Sequence, residues 1–269
     1  MRTIVITGAS SGIGLAAARD LAARGDQVVV VGRDPRRLGA AMTAIRAAAT
    51  GPEPQEFRAD FESLAQVRTL AGHLLTAYPV IDVLANNAGG MLRAYRKTVD
   101  GLEATVASNH LAPFLLTNLL RDALRGGRVV NTSSRAHRRA TVDPDDFAGD
   151  PASWDKWRSY GASKAANILF TAEAARRWPD ILSVAFHPGV VRTNFGVGPV
   201  TRAFFRVNPF LTSAEKAGEL LTWLATAPAE ELRNGAYYVG HRVVAPDERL
   251  ADPGLAARLW DSSAEATAA

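Results

Sequence analysis

Short runs of apolar, mostly β-branched residues alternate along the chain with longer segments in which apolar residues recur at helical spacing. A buried strand is a short continuous apolar run, whereas a helix buries one stripe with a period of about 3.6 residues. The apolar runs predict seven strands, at residues 3–8, 27–32, 56–60, 80–89, 127–134, 181–189 and 236–240. The helical spacing predicts helices at residues 12–24, 34–49, 62–78, 99–124, 154–178 and 213–227.

The alternation of strands and helices predicts an α/β fold in which crossover helices cover both faces of a parallel, doubly wound sheet. Continuous apolar strands agree with burial on both faces. No repeat and no linker rich in Gly, Ser or Pro divides the chain, so we predict one domain over residues 1–269. Residues of about 188–212 are the least regular and are expected to cover a site, and the alanine-rich tail of about 264–269 is expected to fray.

The composition excludes several classes of protein. Cysteine is absent, which excludes disulfides, thiol redox chemistry and cysteine-ligated zinc and agrees with a cytoplasmic location. The chain enters its first strand directly, so we expect no secretory signal. No apolar run approaches the roughly 20 residues of a membrane span, so we expect no integral membrane segment.

Neither the charge nor the placement of the histidines indicates a nucleic-acid or metal site. The net charge is +4, and we interpret the basic run at residues 135–140 as a solvated loop rather than a nucleic-acid contact. No spacing of His, Asp and Glu suggests a metal, so His110 and His187 are expected to be packed or hydrogen-bonded. Trp154 and Trp157 are expected in the core or an interface, with a pocket wall as the alternative.

The stretch TGASSGIG, residues 7–14, joins the first predicted strand to the first helix. Gly8, Gly12 and Gly14 permit a tight turn, a close approach of the backbone to a pyrophosphate and close packing of helix on strand. The helix N-terminus then offers free N–H groups and a positive dipole end to phosphate. The spacing Gly-x-x-x-Gly-x-Gly differs from the common dinucleotide fingerprint, but its place in the chain predicts a dinucleotide site.

The end of the second strand predicts which dinucleotide is preferred. A carboxylate there would accept hydrogen bonds from the adenosine ribose and repel a 2′-phosphate. Gly32 occupies that place, and the guanidinium of Arg33 follows, which favours NADP over NAD. Asp34 complicates this interpretation unless it caps the helix that begins at Pro35.

Six motifs occur in an order that resembles the short-chain dehydrogenase/reductase family. They are TGASSGIG, NNAG at residues 86–89, an asparagine at 109, NTSS at 131–134, YGASK at 160–164 and HPGVVRT at 187–193. The stretches SNHLAPFLLT, SKAANILFTAEAARRW and LAARLWDSS resemble the retinol-dehydrogenase-like branch. The resemblance covers nearly the whole chain and implies a Rossmann-type fold.

The resemblance implies that Tyr160 is the catalytic acid/base, with Lys164, Ser134 and Asn109 as its partners. Ser133 is the neighbouring candidate, but Ser134 matches the catalytic position better. A free tyrosine has a pKa near 10. Lys164 lies one helical turn after Tyr160, so we expect its charge to stabilise the phenolate and lower that pKa. Tyr160 can then exchange a proton with a nascent alkoxide that Ser134 holds.

The resemblance also implies which residues surround the cofactor. The NNAG residues would support the sheet beside the adenosine, Asp60 would lie by the adenine, and the residues after His187 would meet the nicotinamide. The candidate cofactor-binding residues are Gly8, Ser10, Ser11, Gly12, Ile13, Gly14, Arg33, Asp60, Phe61, Asn87, Ala88, Gly89, Tyr160, Lys164, Pro188, Gly189, Val191 and Thr193.

The function expected from these residues is an NADP-dependent oxidoreductase that interconverts a carbonyl and an alcohol on an apolar small molecule. Reduction of an activated C=C bond is the alternative enzyme, and a cofactor-sensing binding protein without turnover is the alternative of another class. Phe204, Phe205 and Phe210 in the irregular segment suggest a lid over an apolar substrate, with ordinary packing as the alternative. Monomer and homodimer both remain open.

Overall fold

The computed structural model describes residues 1–191 and 211–268. Eight strands form one sheet, in the order β3-β2-β1-β4-β5-β6-β7-β8. All neighbouring pairs are parallel except β7 and β8, which are antiparallel. The strands are β1 Thr3–Thr7, β2 Gln27–Gly32, β3 Gln55–Arg58, β4 Val83–Asn86, β5 Arg128–Thr132, β6 Leu182–His187, β7 Tyr237–Val239 and β8 Arg242–Val243.

The helices on the two faces begin at side-chain caps in most cases. We number them α1 Gly12–Ala23, α2 Pro35–Arg46, α3 Leu64–Ala77, α4 in three consecutive segments (Ala104–Val106, the π-helical Ala107–Leu111 and Ala112–Leu119), α5 Lys156–Arg177, α6 Ala214–Thr226 and α7 Pro253–Ala266. Asp34, Ser63 and Asp155 accept hydrogen bonds from first-turn N–H groups of α2, α3 and α5. Asp34 therefore has the capping role that the sequence offered as one interpretation.

Alternate residues of the central strands pack on opposite faces, because side chains in a strand point to the two sides in turn. Ile4 and Ile6 of β1 join a core with α1, α2 and α6, whereas Val5 joins the other core with α3, α4 and α7. The chain moves from β1 outward to β3 and then returns to place β4 on the other side of β1. That reversal opens a crevice at the carboxyl ends of β1 and β4, where ligands of doubly wound sheets bind.

Apart from the ends of elements, the sequence predictions differ from the structure at three places. Helix α7, Pro253–Ala266, was not among the six predicted helices. The sheet has an eighth strand, Arg242–Val243, whose two exposed residues at the sheet edge give no apolar signal. The tail was expected to fray from residue 264, but α7 continues to Ala266 and Thr267 is buried. Trp260 and Ser263 on α7 are also buried, and this tertiary packing orders the tail. Within the described ranges, none of the helices has the length and apolar character needed to cross a membrane.

Candidate active site

The glycine-rich turn occupies the crevice at the end of β1. Gly8 and Gly12 have positive φ angles of 68° and 57°, which side chains rarely adopt. A Cβ at Gly8 would lie 2.7 Å from the Cα of Ala88, and one at Gly14 would lie 2.6 Å from Nδ2 of Asn87. The turn and the segment after β4 are therefore in direct contact, so both glycines are needed for their packing.

The first turn of α1 retains the donors that an anion needs. Ser11 is the N-cap residue of α1 but makes no side-chain capping bond. The N–H groups of this turn consequently keep the open end and the positive dipole that suit a phosphate. Ile13 packs against the core beneath the turn.

The segment after β4 is tied to β1 by one threonine. The hydroxyl of Thr7 donates to the carbonyl oxygen of Ala85 at 3.2 Å and accepts from the N–H groups of Asn87 and Ala88, both at 3.0 Å. The Asn87 amide also donates to the Thr7 carbonyl oxygen at 2.9 Å. These bonds hold Asn87, Ala88 and Gly89 along one wall of the crevice, where the sequence predicts that the cofactor lies.

A cavity of about 320 Å³ lies between the glycine-rich turn and α2. Ser10 and Ser11 line it on one side and Arg37 of α2 lines it on the other. Arg37 is not among the residues that the sequence predicts to bind the cofactor. Arg37 is four residues after Arg33 and lies in the first turn of the helix that Asp34 caps. A helix beginning at Pro35 therefore places Arg33 and Arg37 close together, and this spacing is the signal in the sequence that indicates Arg37.

Arg33 has partners that the sequence did not predict. Its guanidinium Nη1 lies 3.1 Å from Oε1 of Glu62 and 3.7 Å from Oδ1 of Asp60. Glu62 also pairs with Arg96 at 2.7 Å. The Arg33 side chain is 64% exposed, and Glu62, whose side chain is only 13% exposed, keeps Arg96 as a partner if Arg33 turns to a phosphate. Phe61 between the two carboxylates is buried.

Asp34 does not neutralise Arg33. Its carboxylate accepts from the backbone N–H groups of Arg36 and Arg37, both at 3.0 Å. The bond from Arg37 is the largest cause that lowers the pKa of Asp34, so the residue is a charged cap. The carboxylates that pair with Arg33 come from the loop after β3 instead.

Tyr160 and Ser134 meet at the carboxyl end of β5. Tyr160 lies in the first turns of α5 with 9% of its surface exposed, and its hydroxyl is hydrogen-bonded to the Ser134 side chain. Ser134 is the N-cap of the 3₁₀ turn Arg135–Arg139 and accepts from the Ala136 N–H at 3.2 Å. Ser133 points away, since its hydroxyl donates to the Lys164 carbonyl oxygen at 2.7 Å. Of the two serines, only Ser134, the one that the sequence favours, has its hydroxyl at Tyr160.

The pKa of Tyr160 corrects one expectation from the sequence. Burial raises this pKa to about 12, and the hydrogen bond from Ser134 offsets only part of the rise. The expectation that Lys164 lowers the pKa of Tyr160 below its ordinary value is therefore wrong for this structure. Desolvation disfavours the phenolate more than neighbouring groups stabilise it. Tyr160 is consequently a protonated acid at neutral pH.

Lys164 is buried beside Tyr160, with 3% of its surface exposed. Its ammonium Nζ lies 5.6 Å from the Tyr160 ring centroid and donates to the carbonyl oxygen of Thr132 at 3.0 Å. A Cβ at Gly89 would lie 3.4 Å from this Nζ, so the ammonium borders the wall of the crevice. Burial lowers the pKa of Lys164 to about 8. The lysine is thus charged at neutral pH and titrates in the mildly alkaline range.

Asn109 lies in the π-helical segment of α4. Its side-chain amide donates to the Gly90 carbonyl oxygen at 2.9 Å and to the Ser163 hydroxyl at 3.0 Å, and its Oδ1 accepts from the Gly90 N–H at 2.8 Å. π-Helical turns inside α-helices are frequent at functional sites because they break the regular backbone bonding. Asn109 therefore joins α4, α5 and Gly90, the residue that follows the NNAG motif.

A buried polar network that the sequence does not predict lies behind Lys164. Asn167, one turn after Lys164, donates to the carbonyl oxygens of Asn109 and Thr132 at 3.0 and 3.1 Å. Thr132 is the residue that also accepts from Lys164. His110 continues the network, with Nδ1 3.4 Å from Oδ1 of Asn167 and Nε2 2.9 Å from the Ser263 hydroxyl on α7. Only the i+3 spacing of Asn167 from Lys164 could have indicated it.

Both histidines beside the motifs are buried. Burial lowers the pKa of His110 to about 4, so it is a neutral member of the network. Burial also lowers the pKa of His187, again to about 4. His110 therefore has the packed and hydrogen-bonded role expected of it. No group of His, Asp and Glu among residues 1–191 and 211–268 could hold a metal ion.

The segment after β6, residues 188–191, lies at the end of the crevice where the nicotinamide is expected. Gly189 has a φ of 92°, and Val191 forms an isolated bridge with Thr212. A Cβ at Gly189 would overlap the Thr212 side chain, so Pro188 and Gly189 are held against residue 212. Thr193, Phe204, Phe205 and Phe210 lie outside the described residues. Trp154, which the sequence places in the core, in an interface or in a pocket wall, is hydrogen-bonded inside the protein. Its indole N–H donates to the buried carboxylate of Glu103 at 3.2 Å, and Glu103 caps α4.

These features fit a dinucleotide. The open first turn of α1, the cavity beside Arg37 and the lysine that borders the crevice offer sites for the phosphates and a ribose. The family model described as short chain dehydrogenase matches residues 2–198. The chain belongs to the short-chain dehydrogenase family. The match covers the glycine-rich turn, the Tyr160 and Lys164 pair and the segment after β6.

Relatives of this short-chain dehydrogenase are named either for the reduction of a ketone or for the oxidation of an alcohol. The protein named "Putative daunorubicin C-13 ketoreductase DnrU", from Streptomyces sp. strain C5, is 53% identical over 98% of this chain and 92% of its own length. Retinol dehydrogenase 13 from Mus musculus is 36% identical over 98% of this chain and 83% of its own length. The chain is thus an oxidoreductase similar to the retinol-dehydrogenase-like branch.

Solved structures agree with this fold. An uncharacterized protein from Mycobacterium paratuberculosis has a TM-score of 0.82 at 32% identity and is matched over 99% of this chain and 93% of its own. A short chain dehydrogenase from Burkholderia cenocepacia in complex with NADP has a TM-score of 0.71 at 27% identity, over 88% of this chain and 95% of its own. A nicotinamide cofactor follows for this dehydrogenase.

Proposed function

We propose that the protein is an NADP-dependent oxidoreductase that interconverts a carbonyl and an alcohol on an apolar small molecule, with Tyr160 as the acid/base. The observation that carries the proposal is the Tyr160 hydroxyl, which is buried, protonated and hydrogen-bonded to Ser134. The names of the two relatives, a ketoreductase and a retinol dehydrogenase, support this reaction. The apolar character of the substrate rests on the aromatic residues at 204, 205 and 210 of the sequence.

In the proposed reaction the cofactor supplies or accepts the hydride. The task of the protein is to hold the carbonyl oxygen and to move one proton. Ser134 donates a hydrogen bond to the oxygen, which stabilises the negative charge that develops there. Tyr160 gives its proton to that oxygen, and in the reverse direction it accepts the proton back. Its pKa of about 12 keeps the proton in place until the oxygen becomes basic.

Lys164 and its network complete the proposed site. The charged ammonium stabilises the phenolate that forms when Tyr160 gives up its proton, because opposite charges attract each other more strongly in a buried site than in water. Thr132 holds the ammonium, and Asn167 holds Thr132 together with the π-helical turn at Asn109. The lysine would also bind the hydroxyls of the nicotinamide ribose, since it borders the crevice wall at Gly89.

A panel of ketones and aldehydes with NADPH, followed at the nicotinamide absorbance and by product analysis, tests the proposal. We expect alcohol products. A saturated carbonyl product would instead support reduction of an activated C=C bond. The panel also includes conjugated enones with NADPH and lipophilic alcohols with NADP. If the protein binds NADPH tightly and converts no member of this panel, a cofactor-sensing protein is the better proposal.

The arginines at the start of α2 are expected to set the preference for NADPH over NADH. One charge-assisted phosphate contact is worth about 1.5–3 kcal/mol, which corresponds to a preference of roughly tenfold to a hundredfold in kcat/KM. Arg33→Ala and Arg37→Ala should each remove much of it by weakening NADPH alone. Arg36→Ala is the matched control, because Arg36 is exposed on the same helix and does not line the cavity. An NADH preference in the unmodified protein would contradict this prediction.

Gly32→Asp is expected to reverse the cofactor preference. A carboxylate at residue 32 accepts from the free 2′-hydroxyl of NADH and repels the 2′-phosphate of NADPH. A Cβ at Gly32 would lie 3.0 Å from Cδ1 of Leu38 and 3.4 Å from Cβ of Ser10, so the new side chain requires only a small shift of a flexible leucine. The measurement is kcat/KM for both cofactors. Gly32→Ala controls for the shift, and a preference changed equally by both variants would assign the effect to packing.

A further inference from the structure

A second cavity, of about 250 Å³, lies next to the catalytic serine. We call it the arginine pocket; its lining residues are Arg135, His137, Arg138, Tyr237, Val239 and Val244. Arg135 follows Ser134 directly in the chain, and the 3₁₀ turn that Ser134 caps supplies half of the lining. The pocket therefore begins where the proposed reaction takes place, but it contains none of the residues assigned above to catalysis or to the cofactor.

The floor of the pocket comes from neighbouring strands. Tyr237 and Val239 are two residues apart on β7, so they face the same side of the sheet. In the parallel register, His187 of β6 is paired with Val239. The His187 side chain is consequently on the same face as the floor, one residue before Pro188.

Two buried polar atoms on this face have no hydrogen-bond partner among the described residues. They are the hydroxyl of Tyr237, a residue with 3% exposure, and Nδ1 of His187, with 6% exposure. Buried polar groups are nearly always paired, so each unsatisfied atom calls for a partner. Burial raises the pKa of Tyr237, which leaves its hydroxyl a protonated donor at neutral pH.

One wall of the pocket is fixed to the catalytic serine. The ring of His137 packs edge-on against Tyr237, with centroids 5.2 Å apart. Its Nε2 accepts from the backbone N–H of Asp247 at 3.2 Å, so Nδ1 carries the proton and donates to the Ser134 carbonyl oxygen at 2.6 Å. His137 is thus a neutral spacer that holds Ser134 and the pocket in one rigid unit.

The charge around the pocket is positive. Among the described residues, Arg135 and Arg138 have no ion-pair partner, and both side chains are exposed at the pocket. Asp247 lies near His137 but is already paired with Arg249 at 2.6 Å. Arg249 also donates to the Arg138 carbonyl oxygen at 3.0 Å. The Asp247 carboxylate is therefore neutralised by Arg249, and the cationic charge of the two lining arginines is left for a ligand.

We propose that the arginine pocket binds an anionic oxygen group, such as a carboxylate, on the substrate whose carbonyl reacts at Tyr160 and Ser134. This rests on the function proposed above and specifies its substrate class. Arg135 and Arg138 meet the anionic oxygens, the Tyr237 hydroxyl donates to one of them, and Val239 and Val244 contact the adjoining carbon chain. Paired cations with a buried donor select a carboxylate in this way. The substrate then has an apolar body and one acidic end.

The test compares keto acids with their neutral esters. The probes are benzoyl-alkanoic acids of increasing chain length and their methyl esters, which differ only in the charged group. Dissociation constants are measured by calorimetry in the presence of NADP, so binding is observed without turnover, and kcat/KM is measured with NADPH. For the chain length that fits, the unmodified protein should bind the acid at least about tenfold more tightly than the ester.

Variants of the lining residues test whether the preference for the acid over the ester comes from the arginine pocket. Arg135→Gln and Arg138→Gln should each lower the preference for the acid severalfold, and Tyr237→Phe should lower it without removing charge. Arg139→Gln is the matched control, because Arg139 is in the same turn but contacts the Trp157 ring instead of the pocket. Equal affinity for acid and ester at every chain length, or a preference that survives both arginine variants, would overturn the pocket assignment. Tight acid binding without conversion of any acid, any ester or any member of the panel of carbonyls and alcohols would refute the proposed function and leave the anion site intact.

Discussion

Replacement of Tyr160 by Phe is expected to lower kcat by about 10²–10⁴, the usual contribution of a positioned general acid. This corresponds to roughly 3–5 kcal/mol of transition-state stabilisation. The change removes one hydroxyl and keeps the ring that packs in the first turns of α5. The dissociation constant for NADPH should therefore remain nearly unchanged, because the glycine-rich turn and the start of α2 are not altered.

The comparison needs a tyrosine remote from the site. Tyr78 ends α3 and precedes the amino end of β4, whereas the site lies at the carboxyl ends of the strands, so Tyr78→Phe should retain full activity. Steady-state kinetics and a fluorescence titration with NADPH measure both variants. If Tyr160→Phe keeps more than about a tenth of the unmodified kcat, Tyr160 is not the general acid.

Local patterns predicted the frame of this molecule well. The glycine-rich turn and the capping role of Asp34 depend on residues within a few positions of one another. The alternation of strands and helices predicts the parallel sheet, and the doubly wound fold and the family are confirmed. The strand at Arg242–Val243 and the helix α7 with its ordered end escaped prediction, since the strand has no apolar signal and the helix is stabilised by distant helices.

The electrostatics of the site could not be predicted in the same way. Sequence spacing places Lys164 beside Tyr160, but it says nothing about the burial that raises the pKa of the phenol and lowers that of the lysine. Glu62, the partner of Arg33, is 29 residues away in sequence. The basic run at residues 135–140 resembles a solvated loop in sequence, and only the pairing of β6 with β7 brings Tyr237 against it.

Lys164→Met is expected to lower kcat/KM by about a hundredfold or more, or roughly 2.7 kcal/mol, and to weaken NADPH binding. Methionine fills a similar volume, so the variant removes the charge and the donor while the packing remains. The cause is the loss of the cation that stabilises the phenolate, together with a contact to the nicotinamide ribose. Lys156→Met is the matched control, since Lys156 is exposed at the start of the same helix.

The pH profile separates this role from a structural one. The pKa of Lys164 is about 8, so its charge is present below that pH and is lost as the pH rises through it. The rate of carbonyl reduction by the unmodified protein should therefore fall above about pH 8. In Lys164→Met this limb should be absent, and the remaining decline should move toward the pKa of Tyr160, about 12. A limb near pH 8 that persists in the variant would assign that titration to another group.

Stability should change in the opposite direction to activity. A buried lysine whose pKa is lowered from 10.5 to about 8 destabilises the fold below pH 8, because the unfolded chain keeps the proton more readily. A shift of this size corresponds to about 3 kcal/mol at most. Lys164→Met should therefore unfold at the same or a higher temperature at pH 7. A variant that is inactive and also unfolds well below the unmodified protein would show that Lys164 supports the fold rather than the reaction.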